Sequence, residues 1–443
     1  MPAPKQSLQV LTLGCSKNSV DTEHLLYQVR NAYAIVPEGE ERSVDVLLVN
    51  TCGFIGDAKE QSVQAILAQA ERKKAGQVGR LLVFGCLSQR YATELPGLIP
   101  EVDGWFGARE LDPLVRALGC EPAPIPGRVR SDARLPYAYL KVSEGCDRRC
   151  AYCAIPLIRG SHRSVPVERL VAEAQALAAG GVRELILIAQ DTTYYGLDLY
   201  GKRSLARLLQ SLSQVAGIEW IRIHYSYPAD FPEDVLEQMR DNPRVCRYLD
   251  IPLQHIADPV LDKMRRHVDG AWTRSLIRRL RERVPGVALR TTMLVGHPGE
   301  GKRAFAELLD FVREAKFERL GAFAYSEEEG TYGAAHWRDR VSRAEKQRRL
   351  DALMSVQNGI SFAYNQGRIG SETKVLADSF TDGLLVCRSE FESPEVDGEI
   401  LVRPDPAVLG GVDPATLAGH FLRVRVSAAD AYDLTADLLE ILD

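Results

Sequence analysis

The chain has 443 residues, enough for two or three domains with substantial cores. At 45% hydrophobic and 26% charged, with no apolar run near the length of a bilayer span, its composition excludes a membrane-embedded or a disordered chain. The net charge of −5 is uneven: residues 367–443 hold six Lys/Arg against fifteen Asp/Glu, a net of −9, which leaves +4 on residues 1–366.

Met1 to Gln9 lack the basic-then-apolar layout of a signal peptide, so a cytoplasmic location is expected. In a reducing compartment the nine cysteines, where they cluster, read as metal ligands or catalytic groups rather than disulfides. The first segment, residues 6–120, repeats one unit three times: an apolar strand ending in cysteine, then a helical pattern. Leu8 to Cys15 leads into a helix over Asn18 to Arg30, Val44 to Cys52 into one from Asp57 to Lys73, and Leu81 to Cys86 into one over Ser88 to Leu95. Continuous apolar strands alternating with helices predict an α/β domain with a parallel sheet covered on both faces. Cys15, Cys52 and Cys86 then all lie at the carboxyl edge, where such sheets bind ligands, and can converge as three thiolates on one cluster. Three unrelated core cysteines are the bland alternative.

Residues 121–136 carry four prolines and no periodicity, which predicts an extended linker at a domain boundary. Residues 137–366 contain six strand-helix units, with strands near 137–143, 183–189, 219–224, 247–250, 287–295 and 318–325. Six units are too few for eight-stranded closure, so an incomplete (β/α)6 barrel with a lateral opening is expected. Val341 to Gln366 reads as a packing helix that bridges domains. From 367 to 437 short alternating runs broken by Gly, Pro and Asp predict a small β-barrel.

Directly after the first strand of the central domain comes Glu144-Gly-Cys-Asp-Arg-Arg-Cys-Ala-Tyr-Cys153. Thiolates are the ligands iron-sulfur clusters take, and three of them leave one iron of a cubane open to bind and reduce a substrate. A zinc knuckle or incidental cysteines are the alternatives at this point. The loop, with Tyr152 before its last cysteine, resembles the cluster loop of the radical S-adenosylmethionine enzymes.

With both cysteine triplets, the whole chain resembles the methylthiotransferase family. The resemblance rests on Leu13-Gly-Cys-Ser-Lys-Asn18, Asn50-Thr-Cys-Gly-Phe-Ile55, Gly85-Cys-Leu-Ser-Gln-Arg90, Ser143-Glu-Gly-Cys146, Ile188-Ala-Gln-Asp-Thr192 and Tyr248-Leu-Asp-Ile-Pro-Leu-Gln-His255. Asn50 to Ile55 favours the branch that modifies a ribosomal protein over the branch that modifies tRNA adenosine. His297 departs from the family, which more often has an aromatic residue there. The resemblance implies an amino-terminal cluster domain, a radical core and a carboxy-terminal TRAM domain, with two 4Fe-4S clusters and S-adenosylmethionine as cofactors.

Catalysis and metal ligation fall by this resemblance to Cys146, Cys150 and Cys153, whose cluster passes one electron to S-adenosylmethionine and yields a 5′-deoxyadenosyl radical. That radical takes a hydrogen atom from the β-carbon of an aspartate in the small-subunit ribosomal protein S-twelve. The metal ligands Cys15, Cys52 and Cys86 hold a second cluster that delivers the sulfur. An external one-electron reductant is required, and contact with RNA is only indirect. Tyr152, Gln190, Asp191, Val295 and Gly296 are the cofactor-binding candidates, each with a structural alternative: a packed aromatic for Tyr152, a polar loop cap for Gln190 and Asp191, close packing for the last two. Arg159, Gln254 and His255 are weaker candidates for the substrate pocket. Cys120, Cys246 and Cys387 match no ligand position. The acidic last domain suits a basic protein partner better than RNA, or is a solvated face that keeps the chain soluble.

Overall fold

The computed structural model describes residues 5–123 and 127–442. Its first sheet is parallel, with strands β1 (Gln6–Thr12), β2 (Tyr33–Val36), β3 (Val44–Thr51), β4 (Val78–Gly85) and β5 (Gly104–Gly107) in the order β2-β1-β3-β4-β5. The strands β2 and β5, four residues each, are too short to register as apolar runs and were not among the three expected units. Helix α1 (Ser16–Val29) follows β1 and α2 (Gly56–Lys74) follows β3. The third expected helix divides into α3 (Cys86–Arg90) and a turn of helix at Leu95–Leu98, where Pro96 can occupy only a first turn.

Of the expected linker, residues 124–126 lie outside the described residues. Residues 127–136 lie against α1: Arg128 pairs with Glu23 and with Glu173 at 3.2 Å, and the Val129 amide donates to the Glu23 carbonyl.

The central sheet is an open six-stranded parallel sheet. Its strands β6 (Tyr137–Lys141), β9 (Glu184–Ile188), β10 (Trp220–Ile223), β11 (Val245–Asp250), β12 (Ala288–Val295) and β13 (Arg319–Ala324) stand in chain order, as an incomplete barrel requires. A small hairpin of β7 (Ser143–Glu144) and β8 (Arg163–Ser164) rises from the end of β6. Leu185, Leu187, Ile221, Ile223, Leu249 and Leu289 belong to the large core shared with the surrounding helices. The alternate positions Glu184, Arg222, Tyr248 and Arg290 put polar groups on the opposite, concave face. Among the described residues no helix is long and apolar enough to cross a membrane.

Helix Arg343–Gln366 leads into a closed five-stranded barrel of β14 (Glu372–Thr381), β15 (Leu384–Ser389), β16 (Ile400–Arg403), β17 (Phe421–Ala429) and β18 (Leu434–Ile441). The loop between β15 and β16 inserts into the concave face of the central sheet. There Ser393 Oγ meets His224 Nε2 at 2.8 Å, Asp397 accepts from Tyr248 at 2.7 Å, and Glu392 pairs with Arg319 at 2.9 Å. Arg388 and Arg222 share the fully buried Glu184, each at 2.7 Å. Five of the fifteen acids in this segment, Asp378, Glu390, Glu392, Glu395 and Asp397, thus bind the central domain or line the joint with it. The net charge of the segment therefore overstates the acidity of its outer surface.

Cys246 and Cys387 are buried in apolar clusters and Cys120 packs on the first domain's core, in keeping with their reading as ordinary residues.

Candidate functional site

Three adjacent strands deliver the first thiol triplet. Cys15 follows β1 as the residue before α1, Cys52 follows β3 directly, and Cys86 opens α3 after β4. With this strand order the sheet's crevice opens between β1 and β3. Close approach is possible because the turns are glycine: Gly14 has φ +101°, and a Cβ there would meet Cys52 Cβ at 2.9 Å. Gly85 has φ +106°, and a Cβ would strike Thr51 backbone at 2.8 Å. Asn18 sits among the thiols, its Oδ1 lying 4.0 Å from Cys15 Sγ and 3.8 Å from Cys86 Sγ. Its amide nitrogen is fixed by the carbonyls of Leu13 and Thr51.

The second triplet lies on the loop after β7. Gly145, at φ +78°, lets the chain turn against Ser161, and the Cys146 amide donates to the Gly160 carbonyl. Ala151 is clamped on both sides, donating to Met264 and accepting from Gly333. Arg266 donates to Cys150 Sγ and to the Tyr152 hydroxyl, both at 3.4 Å, while Tyr227 holds the Arg266 carbonyl at 2.8 Å.

Burial pushes the Cys86 thiol up to about 11 and Cys146 up to about 12, and raises Cys52 and Cys153 as well. Thiols held protonated at neutral pH are poor nucleophiles, but a metal can displace their protons. Four thiols so raised, two in each group of three, therefore favour metal ligation over thiol catalysis.

A buried polar seam joins the triplets. Arg159, at the end of helix Ile155–Arg159, donates to Cys86 Sγ (3.2 Å), Asn18 Oδ1 (2.8 Å), Asp21 (2.6 Å) and Glu144 (3.1 Å). These partners place Arg159 in the joint between the two domains, in contact with one thiol of the first triplet. Glu144 also accepts from Lys141 and Gln190. Burial alone would raise the Glu144 carboxyl, but Lys141 and Arg159 hold it down at about 2. A second tie runs from Lys59 (2.9 Å) and Arg90 (2.7 Å) to Glu328, beyond β13.

The remaining candidates separate. Gln190 keeps a buried Oε1 without a partner. Asp191 is committed, accepting from Arg148 at 2.9 Å and capping the turn at Thr193. Val295 accepts from the Tyr325 amide, and a Cβ on Gly296 would lie 2.4 Å from Lys346 Cγ, so both are in close packing. Tyr152 is half-buried beside Met264 and the ring of His297, which in turn touches Tyr325 and Trp337. Gln254 extends the sheet by a bridge to Met293, and His255 is buried with its Nε2 unpartnered.

Sequence reasoning passed over Arg148, Arg266 and Tyr227. Arg148 stood inside the quoted loop, whereas nothing local marks the other two. Among the described residues Arg148 Nη2, Gln190 Oε1 and Arg266 Nε, on side chains within or bonded to the Glu144–Cys153 stretch, are buried without partners. Such orphans suit a ligand with both charged and hydroxyl groups, as S-adenosylmethionine has.

Family models match in three consecutive stretches: the uncharacterized protein family UPF0004 over residues 7–107, the radical SAM superfamily over 140–312, and the TRAM domain over 369–439. The ribosomal protein uS12 methylthiotransferase RimO of Porphyromonas gingivalis is 49% identical over 438 residues, covering 98% of this chain and 100% of the relative. The chain belongs to the RimO methylthiotransferase family. RimO proteins from Flavobacterium johnsoniae (47% identical; 97% of each chain) and Phocaeicola vulgatus (45%; 98% of this chain and 100% of the relative) agree. The radical S-adenosylmethionine methyltransferase TsrM of Kitasatospora setae shares the fold, with a TM-score of 0.55 at 14% identity over 90% of this chain and 82% of that one. As a RimO-family protein the chain is a radical S-adenosylmethionine methylthiotransferase, using S-adenosylmethionine and 4Fe-4S clusters.

Proposed function

We propose that this enzyme inserts a methylthio group at the β-carbon of an aspartate in uS12, the S-twelve protein of the small ribosomal subunit. The observation that carries the reading is the pair of three-thiol sites on two domains, joined by one buried seam, in a chain about half identical to uS12 methylthiotransferases along its length. Each triplet suits a cubane with one open iron: Cys146, Cys150 and Cys153 for the radical-generating cluster, Cys15, Cys52 and Cys86 for the sulfur-carrying one. When bound, these clusters and S-adenosylmethionine supply the one-electron and radical chemistry that no side chain provides.

The chain's own residues bind and orient. Arg266 donates to the Cys150 sulfur and braces Tyr152. Gln190, steadied by Glu144, offers its free carbonyl oxygen to S-adenosylmethionine. Asp191 acts through Arg148, while Val295 and Gly296 form a close-packed wall of the cofactor site. The reaction draws on an external one-electron reductant in the cytoplasm, and RNA is touched only where uS12 sits on the ribosome. The test is anaerobic reconstitution with iron and sulfide, then incubation with S-adenosylmethionine, reductant and either uS12 or tRNA. Methylthio mass on a uS12 aspartate is expected, and methylthio on tRNA alone would overturn the reading.

A further inference from the structure

Lys17 is the second residue of α1, two positions beyond Cys15, and is 8% exposed. Its ammonium lies 3.1 Å from the centroid of the Tyr225 ring. Among the described residues it has no carboxylate or other hydrogen-bond acceptor. The neighbouring acids are already taken: Asp21 by Lys141 and Arg159, Asp250 by Arg290 at 2.9 Å and by the Tyr225 amide at 3.0 Å. With the side chain largely buried and its ammonium on one aromatic face without an anion, Lys17 is placed to receive one.

Its position says which anion. Tyr225 lies just past the carboxyl end of β10, and its carbonyl accepts from the Thr192 amide, directly after Gln190 and Asp191. Tyr225 holds φ +57°, a conformation rare for a bulky residue and maintained only where the surroundings fix it. Lys17 therefore reaches from the helix that begins directly after Cys15 to the strand ends that carry the S-adenosylmethionine candidates. The first turn of α1 contains no acid and Cys15 makes no side-chain cap, so the helix terminus adds to the positive field.

We propose that Lys17 receives the side-chain carboxylate of the target aspartate. This rests on the uS12 reading above. In aspartate the β-carbon bears the carboxylate directly, so holding the carboxylate fixes the reacting carbon to within one bond. Asparagine has the same shape without the charge and should be rejected at this site.

The test is the affinity of the reconstituted holoenzyme, with S-adenosylmethionine and no reductant, for uS12 and for uS12 whose target aspartate is replaced by asparagine. Wild type should prefer the aspartate form by at least about tenfold. Lys17→Met should lose that preference, and Lys17→Arg, which keeps the charge, should retain most of it. If Lys17→Met keeps the wild-type preference, or weakens both forms equally while altering the absorption of the cluster on Cys15, Cys52 and Cys86, Lys17 does not bind the aspartate. If wild type binds neither form, the uS12 reading fails and takes this role with it.

Discussion

A guanidinium enclosed by two carboxylates, an amide oxygen and a thiol cannot be removed without leaving two largely buried carboxylates to the single cation Lys141, and Arg159 stands in that position. Truncating one partner of a buried ion pair typically costs about 3–5 kcal/mol, so Arg159→Met should destabilise the full chain by that order in urea unfolding. A loss below about 1 kcal/mol would mean that the seam is not buried as described. The thiols allow a separate prediction. Cys52→Ala should lower iron content from two clusters to one and abolish methylthio product while 5′-deoxyadenosine still forms; full transfer activity would refute the two-cluster assignment. The placement of the six cysteines, three in one loop and three at strand ends, was legible in the sequence because spacing and strand-end position are local properties. Arg159, Arg266 and Lys17 were not, because a long side chain's role depends on what it reaches. Arg159 was a candidate by its place near a strand end, and its contacts with Cys86 and Glu144 become visible only in the fold.

Strands β1, β3 and β4 and the six central strands could be read from their apolar runs because helices cover them, and the six central strands fall within a few residues of their expected places. The insertion between β15 and β16 had no such signal, since Ser389 to Asp397 reads as an ordinary acidic turn until the arginines facing it are known. This element carries a pH dependence. Burial pushes His224 down to about 3, and although burial would raise Glu392, Arg368 and Arg319 hold it at about 2. Both groups bind protons less readily folded than unfolded. His224 should therefore make stability fall as pH drops from about 6.5 towards 3, and Glu392 should add to the loss from about 4.5 towards 2, at about 1.4 kcal/mol per pH unit for each proton. Urea midpoints measured across this range should decline from below neutrality, with His224→Asn flattening the upper part. Midpoints that stay level down to about pH 5 would contradict the burial of His224.

At the scale of the whole molecule, the three domains are fastened by buried charge: Asp21 with Arg159 and Lys141 between the first and second, Glu184, Arg222 and Arg388 between the second and third. Five acids of the last segment lie at that second joint, so the segment's −9 was a weaker guide to the partner than it looked. Acids such as Asp382, Asp405 and Asp413 remain exposed on the barrel and still suit a basic protein. Association with uS12 should accordingly slow as ionic strength rises, and stopped-flow rates independent of salt would assign these charges to solubility alone. The most direct test of the central claim is mass spectrometry of uS12 and of tRNA nucleosides from cells lacking this chain, restored with wild type or with Cys146→Ala. The account predicts a methylthio group on one uS12 aspartate with wild type and none with the variant. A methylthio group that returns on tRNA and not on uS12 would contradict it.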